Sequence, residues 1–143
     1  MTAESPLIET RFGAFAANDR DIVTLISALP GFERCRRYVL LSARSLEPFT
    51  CLQGLDEPRP SFLTVDPRVV VPGYNLPLED NDRRRLDLLP SDTPLWLAIV
   101  GLSADAASVN LRAPIVVNPR RMVGLQLLPA ASAYSCDHRL PLD

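Results

Sequence analysis

Leu95-Trp96-Leu97-Ala98-Ile99-Val100-Gly101-Leu102, with Leu111-Arg112-Ala113-Pro114-Ile115-Val116-Val117 after it, is the stretch that decides the fold class. The first run is apolar throughout and carries β-branched Ile99 and Val100, so it reads as a buried strand. It falls well short of the ~18 apolar residues that a membrane helix needs. Ser103 to Ser108 reads as a small-residue loop. Leu111 to Val117 then returns as a strand interrupted by Pro114, which has no backbone donor and so marks an edge or a bulge. Asn118-Pro119 turns the chain. Met122 to Leu128 alternates, with Val123, Leu125 and Leu127 on one face and Met122, Gly124 and Gln126 on the other.

Upstream, the same short-strand pattern continues. Phe12 to Ala17, a turn at Asn18-Asp19, and Asp21 to Ile26 predict a hairpin. Pro30-Gly31 punctuates. Arg37 to Ser42, Phe49 to Gln53, Phe62 to Val65 and Val69 to Val71 follow as further strands, the last stopped by Pro72-Gly73. One helix is predicted over Leu78 to Leu88. Pro77 stands at its entry, acids Glu79, Asp80 and Asp82 lie in its first turn, and Arg83, Arg84 and Arg85 follow. Leu78, Leu86 and Leu89 are expected to dock that helix on the sheet. The result is an all-β reading: a small antiparallel β-barrel-like domain with one short helix.

Composition narrows the function. The 143 residues fit one domain spanning 1–143, with a tail at 130–143 expected to be loose. Fourteen prolines are too many and too dispersed for a helical bundle. All 15 basic residues are Arg, against 17 acids, and the net charge of −2 disfavours a dedicated nucleic-acid binder. Cys35, Cys51 and Cys136 are widely spaced, which indicates reduced thiols and neither a zinc clip nor a disulfide framework. The opening residues lack the pattern of a secretory signal, so a cytoplasmic protein is expected.

Catalytic chemistry is hard to find. His138, the single histidine, follows Ser135, Cys136 and Asp137, but neighbours on an extended segment point to opposite sides. A nucleophile needs its base in reach on a rigid support. No phosphate-cradling glycine loop is present. The pairs Asp56-Glu57 and Glu79-Asp80 read as solvated charge. Arg83 to Arg85 is interleaved with Asp80, Asp82 and Asp87, and ion pairs Asp80–Arg84 and Asp82–Arg85 are expected there. The residues alone therefore support only a soluble β domain that binds something, with no cofactor or metal site expected. A nucleic-acid- or ligand-binding barrel is the alternative.

Asn110-Leu111-Arg112-Ala113-Pro114-Ile115-Val116-Val117-Asn118 resembles the N-L-x-A-P-I-x-x-N segment of the FliW family of bacterial flagellar assembly factors. Gln126-Leu127-Leu128 and Tyr134 resemble the positions that follow it. Leu29-Pro30-Gly31-Phe32-Glu33 is similar to the family's P-G-F-E turn, with Ala28 where Gly is often found. Ile8 to Gly13 and Phe62 to Pro67, then Tyr74, complete an ordered match over nearly the whole chain. The resemblance implies a cytoplasmic, non-enzymatic β-barrel with two protein partners. One is flagellin before its export. The other is CsrA, a dimeric translational repressor, which flagellin-free FliW antagonises allosterically without touching RNA or membrane. A monomer is expected.

Four site expectations follow. Phe32 is expected to pack inward behind its turn, with a partner anchor as the alternative. Asn110 and Asn118 are expected to bond to backbone at the ends of the Pro114 strand. Arg112, Pro114 and Asn118, with the acids Glu79 and Asp80, are expected to form the partner surface, because Pro114 leaves backbone groups unpaired. Acids there would complement a basic, RNA-binding partner.

Overall fold

A computed structural model describes residues 6–129 and 131–141. Its strands are β1 (Leu7–Thr10), β2 (Gly13–Ala16), β3 (Ile22–Leu25), β4 (Arg37–Leu41), β5 (Phe49–Gly54) and β6 (Ser61–Val65). Two short helices follow, α1 (Pro67–Val70) and α2 (Asp80–Arg85). The remaining strands are β7 (Leu95–Leu102), β8 (Ala107–Val109), β9 (Ile115–Asn118), β10 (Val123–Gln126) and β11 (His138–Leu140).

Seven strands close a barrel in the order β3-β4-β5-β6-β7-β9-β10, with β10 returning to β3. Every neighbour in the ring is antiparallel except β3 and β10, which run parallel through Thr24↔Val123 and Leu25↔Gly124. Val23, Leu25, Tyr38, Leu52, Leu97, Ile115 and Val117 fill the interior. The alternation read in β10 is realised: Gly124 faces Leu25, Val23 and Val117 inside, while Leu125 and Leu127 pack outside against Leu86 and Val116. Gly54 is fixed by close approach, since a Cβ there would lie 2.6 Å from Pro60 Cδ and 2.9 Å from Cys35 Sγ.

β7 has two partners on one edge. Leu95–Leu97 pair with β9 and close the barrel, whereas Val100–Leu102 pair with β8, onto which β11 adds. The stretch read as one strand from Leu111 to Val117 is therefore divided. Its first part is a turn, in which Asn110 Oδ1 accepts from the N–H of Arg112 and Ala113 at 3.1 Å each. Only Ile115 onward is strand, and Pro114 sits buried at the break.

Other expectations are corrected. The first hairpin joins β1 to β2, not residues 12–17 to 21–26. Thr10 Oγ1 donates to the Gly13 carbonyl and accepts from Phe12 N–H, and Gly13 at φ 119 turns the chain at once. β3 instead pairs with β4. Val69 to Val71 is not a strand: Asp66 caps α1 by accepting from Arg68 N–H, and Pro67 occupies its first position, so local capping overrides β-branching.

The predicted helix over Leu78–Leu88 is shorter, held by a capping box between Glu79 and Asp82. Leu86 docks it, but Leu89 is 47% exposed. The expected pairs Asp80–Arg84 and Asp82–Arg85 do not form, because Asp82 is drawn back to the Glu79 N–H and Arg85 reaches Ser27 Oγ at 3.0 Å. The described part of the tail makes contacts with the rest of the fold. Tyr134 accepts from Asn75 N–H at 2.8 Å and β11 pairs with β8. Ala130, Leu142 and Asp143 lie outside the described residues.

Candidate partner-binding surface

Asn118 ends β9 with no exposed surface, and its amide is consumed within the fold. Nδ2 donates to the Leu86 carbonyl at 2.8 Å and to the Asp87 carbonyl at 3.1 Å, while Oδ1 accepts from Arg120 N–H at 3.0 Å. These carbonyls follow α2, so one side chain satisfies polar groups left over at the helix end. Arg120 reinforces the join, reaching the Asp87 carbonyl at 2.7 Å and the Asp92 carboxylate at 3.2 Å. The Leu89 N–H and then Arg120 hold the Asp92 carboxyl below its usual range. Asn118 thus positions α2, and Asn110 shapes the turn before β9. Both bond to backbone as expected from their types.

Of the six residues chosen from sequence, Pro114 and Asn118 are buried, and only Arg112, Glu79 and Asp80 are exposed. The Glu79 segment and the residue bonded to Pro114 meet at one groove, whose lining does not include Arg112. The Pro114 carbonyl accepts from Leu127 N–H at 2.9 Å. Leu127 and Glu79 line one groove of about 320 Å³, together with Leu76 and Leu128. Leu128 is 68% exposed, so an apolar floor lies open beside an acidic rim made by Glu79 and Asp82. Sequence reading missed Leu128; its signal was its place at the end of the alternating β10 segment, where the ladder no longer covers it.

Phe32 lies elsewhere. It is half-buried, edge-on to Phe62 with ring centroids 5.2 Å apart, at the end of the barrel where β5 and β6 meet their turn. The inward packing read from sequence holds for part of the ring, and the rest lines a separate groove.

Chemistry beyond binding is sparse. Cys35 and Cys51 are buried, Cys136 is exposed, and all three are free. Burial pushes the Cys51 thiol up, away from the reactive thiolate. Burial likewise raises Tyr38, beside Cys35. Ser135 Oγ bonds Asp137 at 2.6 Å while His138 enters the β11 ladder. Among the described residues no group of three His, Cys, Asp or Glu is placed to hold a metal, and no helix is long and apolar enough to cross a membrane.

Comparison with known proteins adds a family. A family model described as FliW protein matches residues 6–140. A flagellar assembly factor FliW of Geobacter sulfurreducens is 33% identical over 131 residues, covering 90% of this chain and 82% of its own. A second, of Geobacillus kaustophilus, is 32% identical over 136 residues, covering 93% and 94%. A crystal structure of the flagellar assembly factor FliW superposes with a TM-score of 0.83 at 29% identity, over 95% of this chain and 98% of that one.

Proposed function

The chain belongs to the FliW family of flagellar assembly factors, and from that premise we propose that it binds flagellin in the cytoplasm and, when flagellin leaves, binds and allosterically antagonises CsrA. The family is one of assembly factors and not of enzymes. The observation that carries the reading is the unbroken family match over residues 6–140. The surface is compatible with it: exposed Glu79 and Asp80 beside the Leu127–Leu128 groove offer negative charge to a basic repressor. Such charge raises association rate more than affinity. The protein acts as a monomer, with flagellin and CsrA as competing occupants.

Competition calorimetry tests this. CsrA should bind the purified protein, and saturating flagellin should displace it. Joint charge reversal, Glu79→Arg with Asp80→Arg, should slow CsrA association at low salt, and Arg112→Glu should weaken the complex. If neither flagellin nor CsrA binds the folded protein, the reading fails. If both bind but these variants associate normally, the surface is misplaced. A gel shift of flagellin leader RNA by this protein alone, steeply salt-dependent, would favour a nucleic-acid-binding barrel instead.

A further inference from the structure

The β6–β7 ladder runs from Val65↔Ala98 to Leu63↔Val100 and stops. Both strands continue past that point. Ser61 and Phe62 stay on β5, while Gly101 and Leu102 stay on β8, so the sheet forks. Backbone groups alternate sides along a strand. The Ile99 carbonyl accepts from Asn110 N–H on the far edge of β7, and the Pro60 carbonyl accepts from Gly54 N–H on the β5 side. By alternation, the main-chain groups of Leu102 and of Ser61 turn toward the gap between the two strands.

That gap is a groove of about 520 Å³. Phe32 and Phe62 form its floor, and Leu102, 46% exposed, forms a wall. Its charged lining residues are both Arg, Arg11 and Arg59, with no acid among them. The Arg11 guanidinium sits 5.4 Å over the Phe12 ring. Arg59 is 3.4 Å from Glu57, but both side chains are largely in solvent, so that pair holds the guanidinium only weakly. An apolar floor, two cations and strand edges facing a cleft are the elements of strand addition, in which main-chain bonds give affinity and flanking side chains give selectivity.

We infer that this fork receives an extended peptide segment of alternating apolar and acidic residues, added as a strand between β6 and β7. Its apolar side chains cover Phe32 and Phe62 on the interior face, and its carboxylates, on the opposite face, meet Arg11 and Arg59. The fork is distinct from the groove beside Glu79, so the inference goes beyond the flagellar reading and does not depend on it.

The probe is a capped eight-residue peptide alternating leucine and aspartate, compared with one alternating leucine and lysine, titrated against the full chain by fluorescence polarisation. The aspartate peptide should bind roughly tenfold or more tightly than the lysine peptide, about the scale of one charge-assisted pair. Amide exchange should slow at Ser61 and Leu102. The double variant Arg11→Ser/Arg59→Ser should lose that preference. Leu102→Asp, at an exposed position, should independently weaken binding while the chain still melts as a folded protein. Equal binding of both peptides, no binding of either, unchanged affinity in both folded variants, or protection confined to another edge such as β11 would each overturn the proposal.

Discussion

The two halves of β7 share one strand but not one role. Leu95–Leu97 join β9 and seal the ring, with Leu97 pointing into the core. Val100–Leu102 pair with β8 instead, and β6 does not follow past Val100. Around the sealing half, order comes from apolar packing and from the fully buried Asn118. At the fork, order comes from polar ties. Ser61 Oγ bonds Gln53, and Asp56, in the β5–β6 turn, binds Arg37 at 2.9 Å and the N–H groups of Arg36 and Arg37. The contrast teaches that closure and opening are set by register: where the ladder ends, water-facing polar bonds take over the work that burial does lower down.

The largest expected effect lies in the sealing half. Leu97→Ala should cost about 2–5 kcal/mol in denaturant unfolding, the range for buried leucines. A loss near that of an exposed site would break the comparison. Next is Asn118→Ala, which strips the Leu86 carbonyl of its donor, leaves the Asp87 carbonyl to Arg120 alone and should cost about 1–3 kcal/mol. Asn110→Ala removes only turn-shaping bonds and should cost less, about 1 kcal/mol. The reverse order would show that the turn, not the α2 join, fixes β9.

Acid sharpens the contrast further. Arg37's side chain, then the Arg37 and Arg36 N–H groups, hold the Asp56 carboxyl down to about 2 from its ordinary 3.8. The unfolded chain takes up a proton at this carboxyl before the folded one does, so its stabilisation is whole above pH 4 and is lost as pH falls toward 2. Exchange at the Arg36 and Arg37 amides should therefore accelerate in that window before exchange at Leu97, and Asp56→Asn should abolish the difference. The smallest effect is expected at Leu102→Ala, within about 0.5 kcal/mol, since nearly half of that side chain is already in water.

Apolar alternation made the barrel legible. The runs at Arg37–Leu41, Leu95–Leu102 and Val123–Gln126 are strands because their side chains fit a half-buried pleat. Pairing was less legible. Gly13 turns the chain earlier than Asn18-Asp19 suggests, and Asp66 with Pro67 makes a helix from a run of valines, since caps act on the backbone before side-chain preference does. The amides of Asn110 and Asn118 were readable as backbone partners, but their targets are tertiary: nothing near Asn118 in sequence points to Leu86. The fork could not be read at all, because it exists only where two registers diverge.

The parallel pair of β3 and β10 carries a consequence for synthesis. Thr24 meets Val123, so about two-thirds of the chain intervenes between the two strands that complete the ring. The β3–β6 meander joins sequence neighbours and is able to form as it leaves the ribosome. Its first strand must then wait with one bare edge until β10 is made, and such non-local pairing is slow. A chain cut short before Val123 would be an open sheet with a sticky margin rather than a smaller barrel. For a protein of this topology, the interval between translating Leu25 and translating Gly124 is the period of greatest exposure to aggregation.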